Sequence, residues 1–277
     1  MIEINKITTN LAYKNGIWFS GKNGNIAYPA EGNRRCFAIE NDSFWFQHRN
    51  KCILQAMRCF PPGGTIFDIG AGNGYVSMGI KNSGFNVVAI EPGVHGALNA
   101  QTRGLDYVIC SRLEDAGFKP GIFPAAALFD ILEHIEDDVG FLCKIKKMLI
   151  PGGRLYLTVP AYNFLWSVED YNAGHFRRYT IKSLAKIFEY TGYKVEYMSY
   201  IFSILPLPIY AFRVVPGYIR KKSNIDPKRN LKKHSIKNGF SGGLLNRILK
   251  KELKILMNKK TIPFGGSCLI VAKSSAC

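Results

Sequence analysis

The chain has 277 residues, 47% hydrophobic and 21% charged, which excludes a disordered or collagen-like polymer and allows one well-buried core. Its 37 Lys and Arg against 20 Asp and Glu leave a net charge of +17, a field that favours nucleic acid, an anionic membrane surface or a phosphorylated molecule. Seven cysteines (Cys36, Cys52, Cys59, Cys110, Cys143, Cys268 and Cys277) form no CxxC pair, and their odd number argues against a disulfide framework and for a reducing compartment. Met1 to Asn10 holds two charged residues with no apolar run behind them, so no secretory signal is expected and the reading is cytoplasmic.

Residues 1–42 read as a lead-in rich in Gly and Asn, with strand-like pieces at Ile17-Trp18-Phe19 and Cys36-Phe37-Ala38-Ile39. From Ser43 the spacing of Ile53, Met57 and Phe60 predicts a helix that stops at Pro61-Pro62, and residues 43–277 read as one domain. Strand-like runs then alternate with helices at 65–70, 86–90, 106–110, 125–132 and 154–159. Near-continuous apolar strands in this arrangement predict a parallel sheet covered on both faces, an α/β fold. A helix is expected over Glu136 to Ile150, stopped by Pro151-Gly152-Gly153. Another is expected from Thr180 as N-cap to before Gly192. Residues 194–202 and 267–272 supply a sixth and a seventh strand, with a basic insertion over about 203–265 between them.

FDIGAGNGYVS at 67–77 follows a buried strand and opens a helix, the context that a glycine-rich nucleotide loop needs. Gly70, Gly72 and Gly74 let the backbone turn tightly and approach a ligand. Glu91 ends the next strand seventeen positions after Gly74, where a carboxylate can accept hydrogen bonds from both hydroxyls of a ribose. The glycine spacing differs from the GxGxxG of a dinucleotide oxidoreductase, which remains a competing reading, as does a catalytically silent scaffold on the same fold.

On these residues the chain resembles the class I S-adenosylmethionine (SAM)-dependent methyltransferases. Asp68-Ile-Gly-Ala-Gly-Asn-Gly is similar to their motif I and Ala89-Ile-Glu-Pro to the acidic motif after it. ALFDILEHIEDD at 127–138 is similar to their fourth-strand segment, and MLIPGGRLYLTVP at 148–160 to their turn and fifth strand. The resemblance implies a Rossmann-like seven-stranded sheet ordered 3-2-1-4-5-7-6, with strand seven antiparallel and SAM across the carboxyl ends of the strands. It implies that Gly70, Ala71, Gly72, Asn73 and Gly74 line the cofactor, Asp68 orients the loop or the amino group, and Glu91 holds the ribose. Ser111, Arg112 and Leu113 would flank adenine, and Asp130 with Ile131 would lie beside the cofactor, since Phe123-Pro124 stands where many relatives carry an aspartate.

Methyl transfer to a hydroxyl needs positioning and a base. His134, with Glu133 before it, sits just past the fourth strand, and His175 lies on the loop after the fifth; a structural cap is the competing reading for His134. The loop over 161–180 resembles the GHxRRY segment of a bacterial subgroup of quinone-ring and glycan-modifying methyltransferases. That likeness directs Tyr162, Trp166, Arg177 and Arg178 toward the acceptor, while Trp45 and Arg49, in a lead-in also similar to that subgroup, would cover the site. No metal ligands are expected. Met198 to Phe212 is uncharged but too short and proline-broken to span a bilayer, and 219–237 follows with eight Lys or Arg against one Asp. An amphiphilic, lipid-linked, glycolipid or other small acceptor at the inner membrane face is therefore the expected partner; no recognised nucleic-acid-binding module accompanies the charge.

Overall fold

The computed structural model describes residues 2–21, 36–216 and 240–275. One nine-stranded sheet organises them, built from β1 (Leu11–Lys14), β2 (Ile17–Ser20), β3 (Ile66–Ile69), β4 (Val87–Ile90), β5 (Val108–Cys110), β6 (Phe123–Phe129), β7 (Leu149–Pro160), β8 (Tyr193–Ile201) and β9 (Ser267–Ser274). Spatial order is β1-β2-β5-β4-β3-β6-β7-β9-β8. From β5 onward this is the 3-2-1-4-5-7-6 order expected from the sequence, with β9 antiparallel to both β7 and β8. The lead-in extends the sheet: β1 and β2 form an antiparallel hairpin, and β2 runs parallel to β5 with Trp18 opposite Ile109.

Every residue of β3, β4 and β5 is buried, because helices cover both faces. Phe67, Ile69, Val88 and Ile90 pack on one side with Leu142 and Ile145 of α5 (Asp138–Met148) and Leu184 and Phe188 of α7 (Ile181–Tyr190). Ile66, Val87, Ala89 and Val108 face the other side. There they meet α2 (Phe44–Cys59), α3 (Tyr75–Asn82), α4 (Val94–Thr102) and α9 (Phe240–Met257). The other described helices are short: α1 (Ile4–Ile7), α6 (Val168–Ala173), α8 (Pro206–Ile209) and one turn at 36–39.

Three expectations are corrected. Residues 36–39 are helical, not extended, and Glu40, just after them, reaches the cofactor loop. The helix expected to Ile150 ends at Met148, since Leu149 already pairs with Phe123 and β7 runs on through the Pro-Gly-Gly turn. The sheet has nine strands where seven were expected, because the lead-in adds β1 and β2 to it. Thr180 caps α7 as expected, accepting from Ser183 N at 3.0 Å. The basic run at 219–237 lies outside the described residues. No described helix is long and apolar enough to cross a membrane.

Candidate active site

The carboxyl ends of β3, β4, β6 and β7 meet where the strand order reverses, the place where open α/β sheets bind ligands. The loop from β3 into α3 holds Gly70, Gly72 and Gly74 at φ of +74°, +56° and +74°, a region costly for other residues. A Cβ on Gly70 would overlap the side chain of Ile131, and one on Gly74 would lie 2.8 Å from the Cβ of Ala100, so both positions need glycine sterically too.

Glu91 is buried and closes the loop from beneath. Its Oε2 accepts from Gly72 N at 2.8 Å and its Oε1 from Gly93 N at 2.7 Å. Each oxygen keeps a second lone pair, so the carboxylate can still accept from a diol. Asp68 is also buried, takes a 2.5 Å hydrogen bond from Ser77 Oγ, and is pushed up to about 6 by burial, against the pull of Ser77 and Arg49. Ala71 follows on the loop, and its carbonyl accepts from Gly74 N.

Asn73 is held from three sides. Its Nδ2 donates to Glu40 Oε1 at 3.2 Å, its Oδ1 accepts from Asn99 Nδ2 at 2.9 Å, and its carbonyl accepts from Arg103 Nε at 2.9 Å. Glu40 and Arg103 also form an ion pair, with Arg103 over the rings of Phe37 and Tyr75. Nothing in the sequence pattern singles out Glu40 or Arg103.

Past β6 the backbone of Asp130 enters the left-handed region at φ +57°, a strained conformation for a residue other than glycine. Thr158 Oγ1 donates to Asp130 Oδ1 at 2.9 Å, and Arg49 pairs with the other oxygen. Arg49 is buried, rests 4.5 Å over the Trp45 ring, and is lowered to about 10 by desolvation despite Glu133, Glu40 and Asp68 nearby. Trp45 in turn stacks on Phe202 at 5.8 Å. On the far side, Ser111 is buried and donates to the Arg112 carbonyl, Arg112 itself is exposed, and Leu113 belongs to the core.

Glu133, His134 and His175 come together although forty-one residues separate the two histidines. The rings meet edge to face at 4.7 Å, and one ligating atom from each of the three residues lies within 4.8 Å of the others. No metal ligands were expected from the sequence, yet this set has the donor chemistry of a divalent-cation site. Glu133 is buried, its Oε2 lacks a hydrogen-bond partner among the described residues, and desolvation raises it to about 8. His134 is lowered to about 4 by burial and by His175, while backbone bonds at Gly174 and Ala173 oppose the shift.

Asp170 organises the opposite loop. Its Oδ1 takes His175 Nδ1 at 2.8 Å and Arg178 Nε at 2.8 Å, and Arg178 Nη2 reaches Oδ2 at 3.0 Å. Burial raises Asp170, but these bonds outweigh it and hold the carboxyl well below the usual range. The local signal was Ser167-Val-Glu-Asp170, which forms a capping box at the start of α6. Arg178 also donates to the Ala161 carbonyl, and Arg177 pairs with Asp138 and the Glu136 carbonyl, so both arginines are engaged within the loop framework. Tyr162, at φ +57°, stacks on Tyr200 at 5.0 Å, and Trp166 meets Tyr171 edge-on at 5.3 Å.

A family described as a methyltransferase domain matches residues 44–197. The ubiquinone biosynthesis O-methyltransferase of Xanthomonas campestris is 30% identical over 109 residues, 37% of this chain and 46% of the relative. That of Xylella fastidiosa is 29% identical over 138 residues, 44% and 56% respectively. The chain thus spans about half the length of these curated relatives. Among solved structures, a chain of the complex between the Haloferax volcanii Trm112 methyltransferase activator and a methyltransferase aligns with a TM-score of 0.56 at 15% identity, covering 90% of this chain and 95% of that one. Haemonchus contortus phosphoethanolamine N-methyltransferase 2, solved with SAM, aligns at 0.55 and 17%, covering 90% and 58%. A glycine loop closed by Glu91 at the switch point of a 3-2-1-4-5-7-6 sheet, within a matched domain covering more than half the sequence, makes this chain a member of the class I SAM-dependent methyltransferase family.

Proposed function

We propose that the protein methylates an oxygen of a small amphiphilic acceptor, with His175 as the base that removes the acceptor's proton. The observation that carries this reading is the 2.8 Å contact between His175 Nδ1 and Asp170, beside His134 and Glu133 on the rim of the cofactor site. Because Asp170 stays ionised and can only accept, Nδ1 carries the hydrogen and Nε2 keeps the lone pair. His175 can therefore accept a hydroxyl proton at Nε2 while Asp170 stabilises the resulting imidazolium.

SAM, when bound, supplies a methyl group on a sulfonium that is open to in-line displacement. The residues present fit it: Glu91 has lone pairs for the ribose hydroxyls, and the buried Arg49 and Asp130 complement the carboxylate and ammonium of an amino acid. Trp45 and Phe202 supply apolar surface beside Arg49, which limits water there. Oxygen as the acceptor atom is supported by the two relatives named O-methyltransferases. An amphiphilic acceptor is supported by the aromatic rim of Tyr162, Phe164 and Phe264, backed by the buried Tyr200.

The test is transfer from labelled SAM to catechols carrying alkyl chains of graded length. His175→Ala is expected to lower kcat by about 10²- to 10⁴-fold with SAM affinity unchanged. An unchanged kcat would remove His175 as the base, and transfer only to amines would remove oxygen as the target. SAM binding without any transfer would favour a scaffold.

A further inference from the structure

The segment after β8 carries hydrophobic surface that the fold does not use. Ile201 and Phe202 are fully buried, and the chain then turns into α8 and the π-helical turn Tyr210–Val214. Pro206 and Val214 pack inward, whereas Leu207, Tyr210 and Phe212 are 75%, 46% and 73% exposed. Three large apolar side chains exposed within six residues exceed the scattered exposure usual on a surface, and Leu207 and Tyr210, three positions apart on a helical turn, share a face.

This projection is held in place and joined to the active site. Arg213 pairs with Glu169 of α6. At its base, Glu252 of α9 accepts from Phe202 N at 3.0 Å, Ser203 N at 2.6 Å and Ser203 Oγ at 2.5 Å. Phe164, itself half exposed, lies 6.2 Å from Tyr210, and aromatic contacts continue from Phe164 to Tyr162 and on to Tyr200 and Phe264. Tyr162 adjoins Ala161, whose carbonyl Arg178 grips, so the aromatic surface runs from the projection to the catalytic rim.

The helix that anchors the base of the projection is basic on its exposed side. Helix α9 buries Leu249, Glu252 and Leu256 and exposes Arg247, Lys250, Lys251 and Lys254. In sequence, the eight Lys and Arg of 219–237 begin eight positions after Phe212.

We infer that this side of the molecule docks on an anionic phospholipid bilayer, with Leu207, Tyr210 and Phe212 entering the interface while Arg247, Lys250, Lys251 and Lys254 meet the headgroups. A bare apolar projection would fit a protein groove equally well; the exposed cations of α9, the helix whose Glu252 holds its base, favour the anionic surface. Docked in this way, the protein would offer its aromatic rim to an acceptor that never leaves the membrane. That consequence rests on the proposed acceptor class, whereas the docking does not.

The experiment is sedimentation of the full chain with vesicles of phosphatidylcholine alone or mixed with phosphatidylglycerol, alongside SAM calorimetry on the same preparations. Binding is expected to the mixed vesicles only and to weaken as salt rises. Leu207→Ser with Phe212→Ser should lower the partition about tenfold or more with SAM affinity unchanged, which excludes misfolding. Lys250, Lys251 and Lys254 changed together to Gln should also weaken it. No binding to mixed vesicles, equal binding to neutral ones, or full binding by the serine variant would each overturn the proposal. Loss in the glutamine variant alone would do so too, by identifying a purely electrostatic surface of the kind nucleic acid fits. Vesicle binding is scored without methyl transfer, so failure of the acceptor reading leaves this result standing.

Discussion

Glu40 and Arg103 close a 2.6 Å ion pair behind the cofactor loop, and both side chains also bond Asn73 in the middle of that loop. The pair ties the segment before α2 to the end of α4 through the residue between Gly72 and Gly74. Removing one partner leaves the other buried and uncompensated, which costs roughly 3 kcal/mol or more.

Arg103→Met is therefore expected to destabilise the fold by about that amount in chemical denaturation, and Glu40→Gln with Arg103→Met to recover part of the loss. Glu40→Gln should weaken SAM binding about tenfold in calorimetry, through the loop it steadies, and Glu91→Ala by more, since it removes two charge-assisted bonds. Normal SAM affinity in Glu40→Gln would mean that the loop supports itself.

Stability should fall as pH rises from about 5 to 8. Glu133 stays protonated in the folded protein up to about 8 because it is buried, whereas an unfolded chain releases that proton near 4.5. In that window the unfolded state binds fewer protons, so its relative stability grows. Asp68, raised to about 6, adds the same sign over the lower part, where His134, lowered to about 4 from its ordinary 6.5, acts against both, so the fall is clearest above pH 6.5. Asp170, held low, acts oppositely: its contribution is present above the usual carboxylate range and is lost as pH falls through it. Glu133→Gln mimics the protonated acid and should flatten the fall in thermal midpoints across this range; an unaltered slope would sink the assignment.

Zinc should inhibit. The ligating atoms of Glu133, His134 and His175 lie within 4.8 Å of one another, and tetrahedral Zn–N distances near 2.0–2.1 Å set donors about 3.4 Å apart, so the three side chains must draw together by about 1 Å. Asp170 behind His175 is the kind of carboxylate that orients a metal-bound imidazole. Micromolar Zn²⁺ is expected to suppress methyl transfer by occupying the lone pair that takes the proton, EDTA to restore it, and Glu133→Gln to blunt the effect. Insensitivity of the wild type would show that the group cannot contract around a cation.

How legible all this was depended on distance along the chain. The glycine loop, Glu91 and the alternation of apolar strands and helices are local patterns, and sheet order followed from the family likeness they carry. The capping box at Ser167 and Asp170 was equally local, but what Asp170 holds was not: His175 and Arg178 turn toward it only when the loop folds back. The convergence of His134 with His175, and of Glu40 with Arg103, depends on segments that meet through the sheet, so no spacing rule announces it. The strand expected at Cys36 to Ile39 failed for a tertiary reason: Phe37 serves as the surface under the Arg103 guanidinium, and the segment is helical there.

The pairing of β2 with β5 also has a bearing on how the molecule assembles. Trp18 finds Ile109 only after about ninety intervening residues exist, so the first strands in the sequence are not the first to join the sheet. At ribosomal speeds the hairpin waits on the order of ten seconds for its partner. When β5 is in place, closing so long a loop draws its return from few contacts, because only two residue pairs join β2 to β5. The hairpin is thus the part of the sheet whose arrival can lag behind the cofactor fold, and the edge of β5 stays open to other strands until it comes.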